Sequence, residues 1–360
     1  MFSGQAKAFA VGFETWKQPI LRLYVHGTKV SFVRPQSRTL QRLLVSPGYL
    51  PFPAADSHPA PPLLQWGYRA DSIARCWSGP VAQVEDGFIR SVGLGGDLHR
   101  PLSWVIDSQG IYYDATRPSD LETWLASADP SPAELARAAA LRHRLVNDSI
   151  TKYNLTANSW QRPPGLARVV LVPGQVESDA SLFYGAEDIR TNLELLQAVR
   201  RAEPNSFLIY KPHPDVVAGL RRASAAERQA LELADLVLRD ASIEQLFSQV
   251  DAVHVLTSLA GFEALLRGVE VHTWGLPFYA GWGLTRDAHS CPRRGRQLSL
   301  DTLVYGALIA YPRYLSRVSG LLITPEQAID ELLAWRQERR PRLAWRTGLI
   351  RFWARLRRRR

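Results

Sequence analysis

Cysteine is scarce in this sequence, with only Cys76 and Cys291 among 360 residues, far apart and without Cys or His partners at ligand spacing. This scarcity argues against a disulfide framework or a structural zinc site and favours a reducing compartment. No apolar run approaches the roughly 18 residues that span a bilayer. Residues 1–10 lack the basic and apolar regions of a signal peptide. The sequence therefore predicts a cytoplasmic chain without a structural zinc site.

The charge of +10 is concentrated at the C-terminus. Residues 336–360 contain eleven arginines and one glutamate, whereas residues 1–335 carry 33 basic and 33 acidic side chains. Within this segment Trp345, Leu349, Phe352, Trp353 and Leu356 recur at helical spacing. That pattern is typical of a basic amphipathic helix on an anionic membrane surface. A solvated basic end and a nucleic-acid contact are the alternatives, and the spaced aromatics favour the membrane and disfavour nucleic acid.

The chain is long enough for two domains. Residues 1–160 contain short β-like runs at 30–33, 63–66 and 81–84, followed by a helical pattern at 131–147. The linker-like sequence QRPPG occupies residues 161–165. These features predict an N-terminal lobe at 1–160, a C-terminal lobe at 166–335 and a basic tail at 336–360.

Strand and helix patterns alternate through the second half. Strand-like runs at 169–172, 207–211, 236–238, 253–256 and 271–274 are separated by helical patterns at 189–201, 225–234, 243–250 and 259–267. Such alternation predicts an α/β fold with a parallel sheet. Ligands of such sheets bind beyond the carboxyl ends of the strands, so the residues that follow each strand are the candidate site.

Residues suited to a phosphate follow these strands. Lys211 and His213 come after one strand, and His213 is held between two prolines. Thr257 and Ser258 open a helix, whose free N–H groups favour an anion. An ordinary N-cap and a turn histidine are the alternative interpretations. These residues predict a donor-phosphate site.

Carboxylates flank the candidate site. Glu263 lies within the helix that Ser258 opens, where it could reach ribose hydroxyls or be solvated. Asp179 follows another strand, and a helix-start acid is its alternative reading. In the first half Glu85 and Asp86 end a strand and precede Gly87, which suggests a catalytic loop. No GxGxxG dinucleotide fingerprint opens a helix here.

Several segments together resemble the bacterial capsule polysaccharide biosynthesis family, over roughly residues 60–335. They are EDGFIRS at 85–91, KYN at 152–154, PGQVESDAS at 173–181, YKPHP at 210–214, GFEAL at 261–265, YAGWG at 279–283, YPRY at 311–314 and TPEQA at 324–328. The resemblance implies two Rossmann-like lobes of GT-B type with a cleft between them and no cofactor. The lobe at 1–160 is then the acceptor side, and the lobe at 166–335 binds the nucleotide sugar. The resemblance also implies transfer of 3-deoxy-D-manno-octulosonic acid (Kdo) from CMP-Kdo with retention of configuration and without a metal.

The resemblance also implies residue roles. Asp179 is the expected nucleophile, and either Glu85 or Asp86 the acid/base. Donor binding is expected from His213, Lys211, Gln175, Thr257, Ser258 and Glu263. The expected partners are a nucleotide-sugar donor, a glycolipid or oligosaccharide acceptor, a capsule assembly or export complex and, through residues 336–360, the inner face of the cytoplasmic membrane.

Two other functions stay open at this point. The chain could be a non-catalytic capsule assembly or export factor that keeps the fold as a binding module. It could also be a GT-B-like sugar-nucleotide epimerase. The family's better-known enzymes often fuse two such modules, whereas this chain contains one.

Overall fold

A computed structural model describes residues 6–33, 61–68, 71–75, 77–93, 100–152, 160–217, 229 and 232–339. The first-half elements are β1 (Ala6–Val11), α1 (Gln18–Tyr24), β2 (Thr28–Val33), β3 (Leu63–Trp66), α2 (Asp71–Ala74), β4 (Val81–Asp86), β5 (Ser103–Asp107), α3 (Asp120–Ser127) and α4 (Pro132–Asn147). Ser131 and Glu134 form a capping box that starts α4. Pro132 fits the first helical position, where no backbone donor is needed.

Strands and helices largely alternate through the middle of the chain. Its elements are β6 (Val169–Pro173), α5 (Ala180–Gly185), α6 (Asn192–Ala202), β7 (Phe207–Lys211), α7 (Pro214–Val217), β8 (Leu236–Val237), α8 (Ile243–Phe247), β9 (Ala252–Val255), α9 (Leu259–Leu266), β10 (Glu270–Thr273) and β11 (Arg286–Asp287). These strands form one six-stranded parallel sheet in the order β11-β10-β9-β6-β7-β8. The predicted parallel sheet of the second half is therefore confirmed.

The C-terminal elements return to the first sheet. They are α10 (Leu300–Val304), a π-helical turn (Tyr305–Ala310), β12 (Arg313–Leu315), β13 (Leu322–Ile323) and α11 (Pro325–Arg339). The first sheet has the order β13-β12-β5-β4-β3-β1-β2, with β12 antiparallel to β5. The assignment of all of 166–335 to the second lobe needs correction on this point, because residues 313–323 complete the first sheet. Strands of two or three residues show no alternation that a sequence pattern could reveal.

The first sheet is mixed. Strands β2, β1, β3 and β4 run parallel, whereas β5, β12 and β13 are added antiparallel. Gly87 allows the turn after β4 to approach β5, because a Cβ at this position would overlap the Ser103 side chain. The close approach fixes the backbone that carries Glu85 and Asp86.

One apolar core joins the two lobes. Phe88, after β4, stacks on Phe278, after β10, with ring centroids 4.6 Å apart. Their cluster continues into Val169 and Leu171 of β6 and to Trp335 of α11. Packing of this kind fixes the cleft edges of the two sheets against each other.

Two predicted segments lie largely outside the described residues: the helix at 225–234 and the tail beyond 339. Tyr153 and Asn154 also lie outside them. Among the residues that are described, no helix combines the length and hydropathy needed to span a membrane.

Candidate functional site

The strand ends of the second sheet converge on one surface. The Gly174 amide donates to the Lys211 carbonyl at 2.8 Å, which joins the ends of β6 and β7. The Gln175 amide nitrogen Nε2 donates to Thr257 Oγ1 at 2.8 Å, which joins the ends of β6 and β9. The structure therefore brings the predicted donor residues of three strands together, as expected for a parallel sheet.

Asp179 occupies the N-cap of α5 and remains exposed. Its Oδ1 accepts hydrogen bonds from the Ser181 amide at 3.0 Å and from Ser181 Oγ at 2.9 Å. Ser181 Oγ in turn accepts from Gln175 Nε2 at 2.8 Å and from Thr257 Oγ1 at 3.2 Å. Asp179 is thus an acid at the start of a helix, which was the alternative interpretation of its position. The hydrogen bonds through Ser181 also orient its carboxylate and connect it to the end of β9. The sequence did not single out Ser181 for this contact.

Lys211 and His213 supply the cationic part of the surface. Lys211 ends β7, and burial lowers the pKa of its ammonium, while Asp240 opposes that shift. The Asp215 amide donates to His213 Nδ1 at 3.1 Å. Neutral His213 therefore carries its proton on Nε2, which can donate to a ligand oxygen.

Thr257, Ser258 and Glu263 follow β9. Ser258 is the N-cap of α9, and its Oγ accepts from the Ala260 amide at 3.2 Å, so the ordinary capping role is present. Glu263 is buried, and its Oε1 accepts from the Lys152 amide at 2.7 Å. Burial raises the pKa of Glu263. Glu263 thus holds the backbone at Lys152, in the segment between the lobes, through Oε1. A contact with a ribose would use Oε2.

Glu85 and Asp86, at the end of β4, have different environments. Asp86 Oδ2 pairs with buried Arg90 Nε at 2.7 Å, and Oδ1 accepts from Trp104 Nε1 at 3.1 Å. Glu85 Oε1 accepts a hydrogen bond from the adjacent Asp86 backbone amide at 2.9 Å. Burial and then the charge of Asp86 raise the pKa of Glu85 to about 7, although Lys17 and Lys152 oppose the shift. Glu85 can therefore exchange a proton near neutral pH, whereas Asp86 is tied into the framework.

Tyr113 lies beside Glu85, and sequence reasoning missed it. A Cβ built on Gly67 would lie 3.1 Å from Tyr113 Oη and 3.3 Å from Glu85 Oε2, so both oxygens border the same space. Burial raises the pKa of Tyr113, and the charges of Glu85 and Asp179 add to that effect. Tyr113 therefore stays protonated, and its ring packs edge-on against Tyr68, with centroids 6.2 Å apart. Tyr113 follows β5, which the sequence analysis did not identify.

An open depression of about 470 Å³ surrounds Asp179. It is lined by Tyr68, Glu177, Ser178, Asp179, Ala180, Leu182, Phe183, Tyr184 and Arg190. Tyr68 of the first lobe packs edge-on against Tyr184 of the second, with centroids 4.7 Å apart. Aromatic rings beside a carboxylate form a surface suited to a sugar ring.

A histidine cluster elsewhere on the second sheet has the composition of a metal site. Glu203, His254 and His272 place one ligand atom each within 4.8 Å of one another. However, Trp274 Nε1 donates to His254 Nδ1 at 3.2 Å, which leaves the proton on Nε2. Arg168 already bridges Glu203 and Glu270 at 2.8 and 2.9 Å. The cluster is better described as a partly buried network of hydrogen bonds and ion pairs than as a metal centre.

A protein family and a curated relative are similar in sequence to this chain. A family model described as capsule polysaccharide biosynthesis protein matches residues 65–140 and 132–320. The capsule polysaccharide modification protein LipA of Neisseria meningitidis serogroup B is 39% identical over 334 residues, which is 91% of this chain and 46% of LipA. This chain therefore spans about half the length of that curated relative.

Two solved structures share the fold. The Thermosulfurimonas dismutans KpsC β-Kdo 2,7 transferase is 37% identical, with a TM-score of 0.71, over 92% of this chain and 99% of that one. The β-Kdo 2,4 transferase of the same organism's KpsC is 30% identical, with a TM-score of 0.76, over 92% and 98%. They confirm the predicted two-lobed, GT-B-like α/β class. By its sequence motifs, its fold and these matches, the chain belongs to the capsule polysaccharide biosynthesis protein family.

Proposed function

We propose that this protein is a retaining glycosyltransferase that transfers Kdo from CMP-Kdo to a glycolipid or glycan acceptor. The observation that carries the proposal is that each lobe supplies one carboxylate to the region of Tyr68 and Tyr113. Asp179 lines the depression together with Tyr68, whose ring packs edge-on against Tyr113. Tyr113 Oη and Glu85 Oε2 border the same space beside Gly67, and the pKa of Glu85 is raised to about 7. Two such carboxylates fit double displacement. The similarity to the two KpsC transferases supports Kdo as the sugar.

In the first step, an Asp179 oxygen attacks the anomeric carbon as the bond from that carbon to the CMP phosphate oxygen breaks. Ser181 donates to Asp179 Oδ1, which leaves the other oxygen as the nucleophile. Lys211, the Nε2–H of His213 and the start of α9 offset the charge on departing CMP. No metal takes part in this proposal.

In the second step, ionised Glu85 removes the proton from an acceptor hydroxyl. The hydroxyl oxygen attacks the anomeric carbon, and the bond to Asp179 breaks and regenerates its carboxylate. Two inversions give net retention. Glu85 is the better base than Asp86 because the Asp86 carboxylate is already engaged by Arg90 and Trp104.

A lipid-linked acceptor would place the enzyme at a membrane. Residues 336–360, with eleven arginines and spaced aromatics, are proposed to hold the protein on the inner face of the cytoplasmic membrane. A capsule assembly or export complex is a further proposed partner.

The test is CMP release from CMP-Kdo by purified protein, with UDP-sugars as the comparison donors. Asp179→Asn should lower turnover by about a thousandfold or more, because the nucleophile is lost, while CMP affinity persists. Asp188→Asn is the control, since this carboxylate is exposed in the same lobe. Nuclear magnetic resonance of the product reports its anomeric configuration.

A fully active Asp179→Asn variant would rule out the nucleophile. Release of UDP in place of CMP would contradict the donor, and an inverted product would contradict the two-step route. If the wild-type protein releases no nucleotide from either donor class, the non-catalytic binding module becomes the better account.

A further inference from the structure

Exposed apolar side chains gather at the β12–β13 hairpin. Val318, Leu321 and Leu322 are 87%, 63% and 51% exposed. Leu23 of α1 is 39% exposed, and its Cδ1 lies 3.9 Å from a Cβ built on Gly320. These four residues, here named the hairpin patch, are most of the large apolar side chains exposed in the described part of the chain; the others are Phe183 and Val217. A contiguous group of this kind marks an interaction surface.

The hairpin holds these side chains outward on an ordered turn. The Ser316 amide donates to the Leu321 carbonyl at 2.9 Å, and the Gly320 amide donates to the Ser316 carbonyl at 3.2 Å. Ser316 Oγ accepts from the amides of Val318 and Ser319 at 3.1 and 2.9 Å. Because its backbone amides already donate hydrogen bonds within the protein, the turn can be transferred from water to a less polar environment without leaving these donors unsatisfied.

Basic groups surround the hairpin patch. Arg317 stacks on Trp335 of α11, with its guanidinium carbon 4.0 Å from the ring centroid. Arg100 Nη2 donates to the Ser316 carbonyl at 3.0 Å, and exposed Arg22 adjoins Leu23. The nearby acid, Glu331, accepts from Ser316 Oγ and from the Arg317 amide. The patch is therefore apolar at its centre and cationic at its rim.

The arginine-rich end of the chain begins beside this patch. Arg317 contacts Trp335, and residue 336 starts the segment with eleven arginines. Arg317 of the hairpin therefore lies beside the C-terminal part of α11, after which the arginine-rich sequence follows. Apolar side chains with a cationic rim match an anionic lipid surface, whose phosphates attract arginine and whose interior takes apolar groups.

We propose that the hairpin patch docks on an anionic bilayer. Val318, Leu321, Leu322 and Leu23 enter the headgroup region, and Arg317, Arg100 and Arg22 meet lipid phosphates. The proposal rests on the membrane association proposed for residues 336–360 and adds a second contact, from the folded body, that sets how the protein faces the membrane.

The test is co-sedimentation of the full-length protein with vesicles of phosphatidylethanolamine and phosphatidylglycerol, and with phosphatidylcholine vesicles as the neutral arm. We expect the double variant Val318→Ser, Leu321→Ser to bind anionic vesicles about tenfold or more weakly, because two apolar side chains no longer leave water. Val217→Ser is the matched control, since it removes an exposed apolar side chain outside the patch and should bind as the wild type does.

Salt concentration distinguishes the apolar contact of the hairpin patch from the electrostatic contact of the arginines. At about 1 M salt the Debye length is about 3 Å, so attraction by the arginines is largely screened. The wild type should keep residual binding to anionic vesicles under this condition, and the double variant should lose it. Because both substituted side chains are exposed, thermal melting should be unchanged in the variant.

The proposal is overturned if the double variant binds as the wild type does at both salt concentrations, or if the wild type binds no vesicles. It is also overturned if the variant changes only the oligomeric state in size-exclusion chromatography, which would make the patch a contact between copies. CMP release with a soluble acceptor, measured in parallel, reports the proposed catalysis independently of all these outcomes.

Discussion

Removing the charge of either of two adjacent acids at the end of β4 should change the stability of the protein, in opposite directions for the two residues. Glu85→Gln removes a carboxylate that is costly to ionise, since burial and Asp86 raise its pKa to about 7. Asp86→Asn removes a carboxylate that pairs with buried Arg90. We expect Glu85→Gln to stabilise the protein above pH 7 and to abolish transfer, and Asp86→Asn to destabilise it. A site that sacrifices stability for chemistry behaves in this way.

The shift of Glu85 from 4.5 to about 7 sets the magnitude. Each unit corresponds to about 1.4 kcal/mol, so full ionisation costs about 3 kcal/mol relative to the unfolded chain. Solvent screens part of this cost because Glu85 is only half-buried, and about 1–3 kcal/mol remains. A raised carboxyl pKa favours folding below the unfolded pKa, and this contribution disappears as pH rises through about 7. The increase in the free energy of unfolding caused by Glu85→Gln therefore grows between pH 5 and pH 8.

The assay is thermal melting by circular dichroism at pH 5 and pH 8. Relative to the wild type, Glu85→Gln should gain on the order of 2–5 °C in Tm at pH 8 and little at pH 5. Asp86→Asn should lose stability at both values, because buried Arg90 loses the negative charge of Asp86 at either pH. Equal melting of wild type and Glu85→Gln at pH 8 would refute the raised pKa, and retained transfer by that variant would refute its role as the base.

Two further predictions concern the second lobe. His213→Ala should weaken CMP binding by about 10–100-fold in isothermal titration, because a charge-assisted hydrogen bond is lost; exposed His26→Ala is the control, and unchanged affinity would exclude the phosphate contact. Ser181→Ala should lower kcat by about 10–100-fold with CMP affinity unchanged, because Asp179 loses its orienting donor, and Ser181→Thr should restore activity. A parallel fall in CMP affinity would instead show that Ser181 acts on the donor pocket as a whole.

The second sheet was predictable because its signals are local. Each of β6, β7 and β9 is a short apolar run ended by proline or a polar residue, followed by a helical pattern. The first sheet gave weaker signals. Strands β1 and β5 were not recognised, and β12 and β13 are too short to show a period. Their pairing depends on contacts between residues about 200 apart in sequence, such as Arg313 with Trp104, which no local pattern encodes.

The candidate site divides in the same way. Asp179, Lys211 and His213 could be located because they lie at the ends of predicted strands or in the loops that follow them, where a parallel sheet collects its ligand contacts. Tyr113 could not be located, because its role depends on its position beside Glu85. The two side chains meet only in the folded protein, where both border the space next to Gly67. The choice between Glu85 and Asp86 also depends on partners, because Arg90 and Trp104 engage only one of them. Spacing identifies the loop that carries an acid, whereas the surrounding packing assigns its proton affinity.

The return of β12 and β13 to the first sheet bears on how the protein is made. During synthesis, residues 169–287 contain every strand of the second sheet, so that lobe can close as the nascent chain emerges. The first lobe cannot, because its outer strands arrive only with residues 313–323. Until then β5 presents an unpaired edge, the kind of edge that recruits other chains. The lobe that is translated first is therefore completed last, and its unfinished edge is the part of the nascent protein that a chaperone would have to shield.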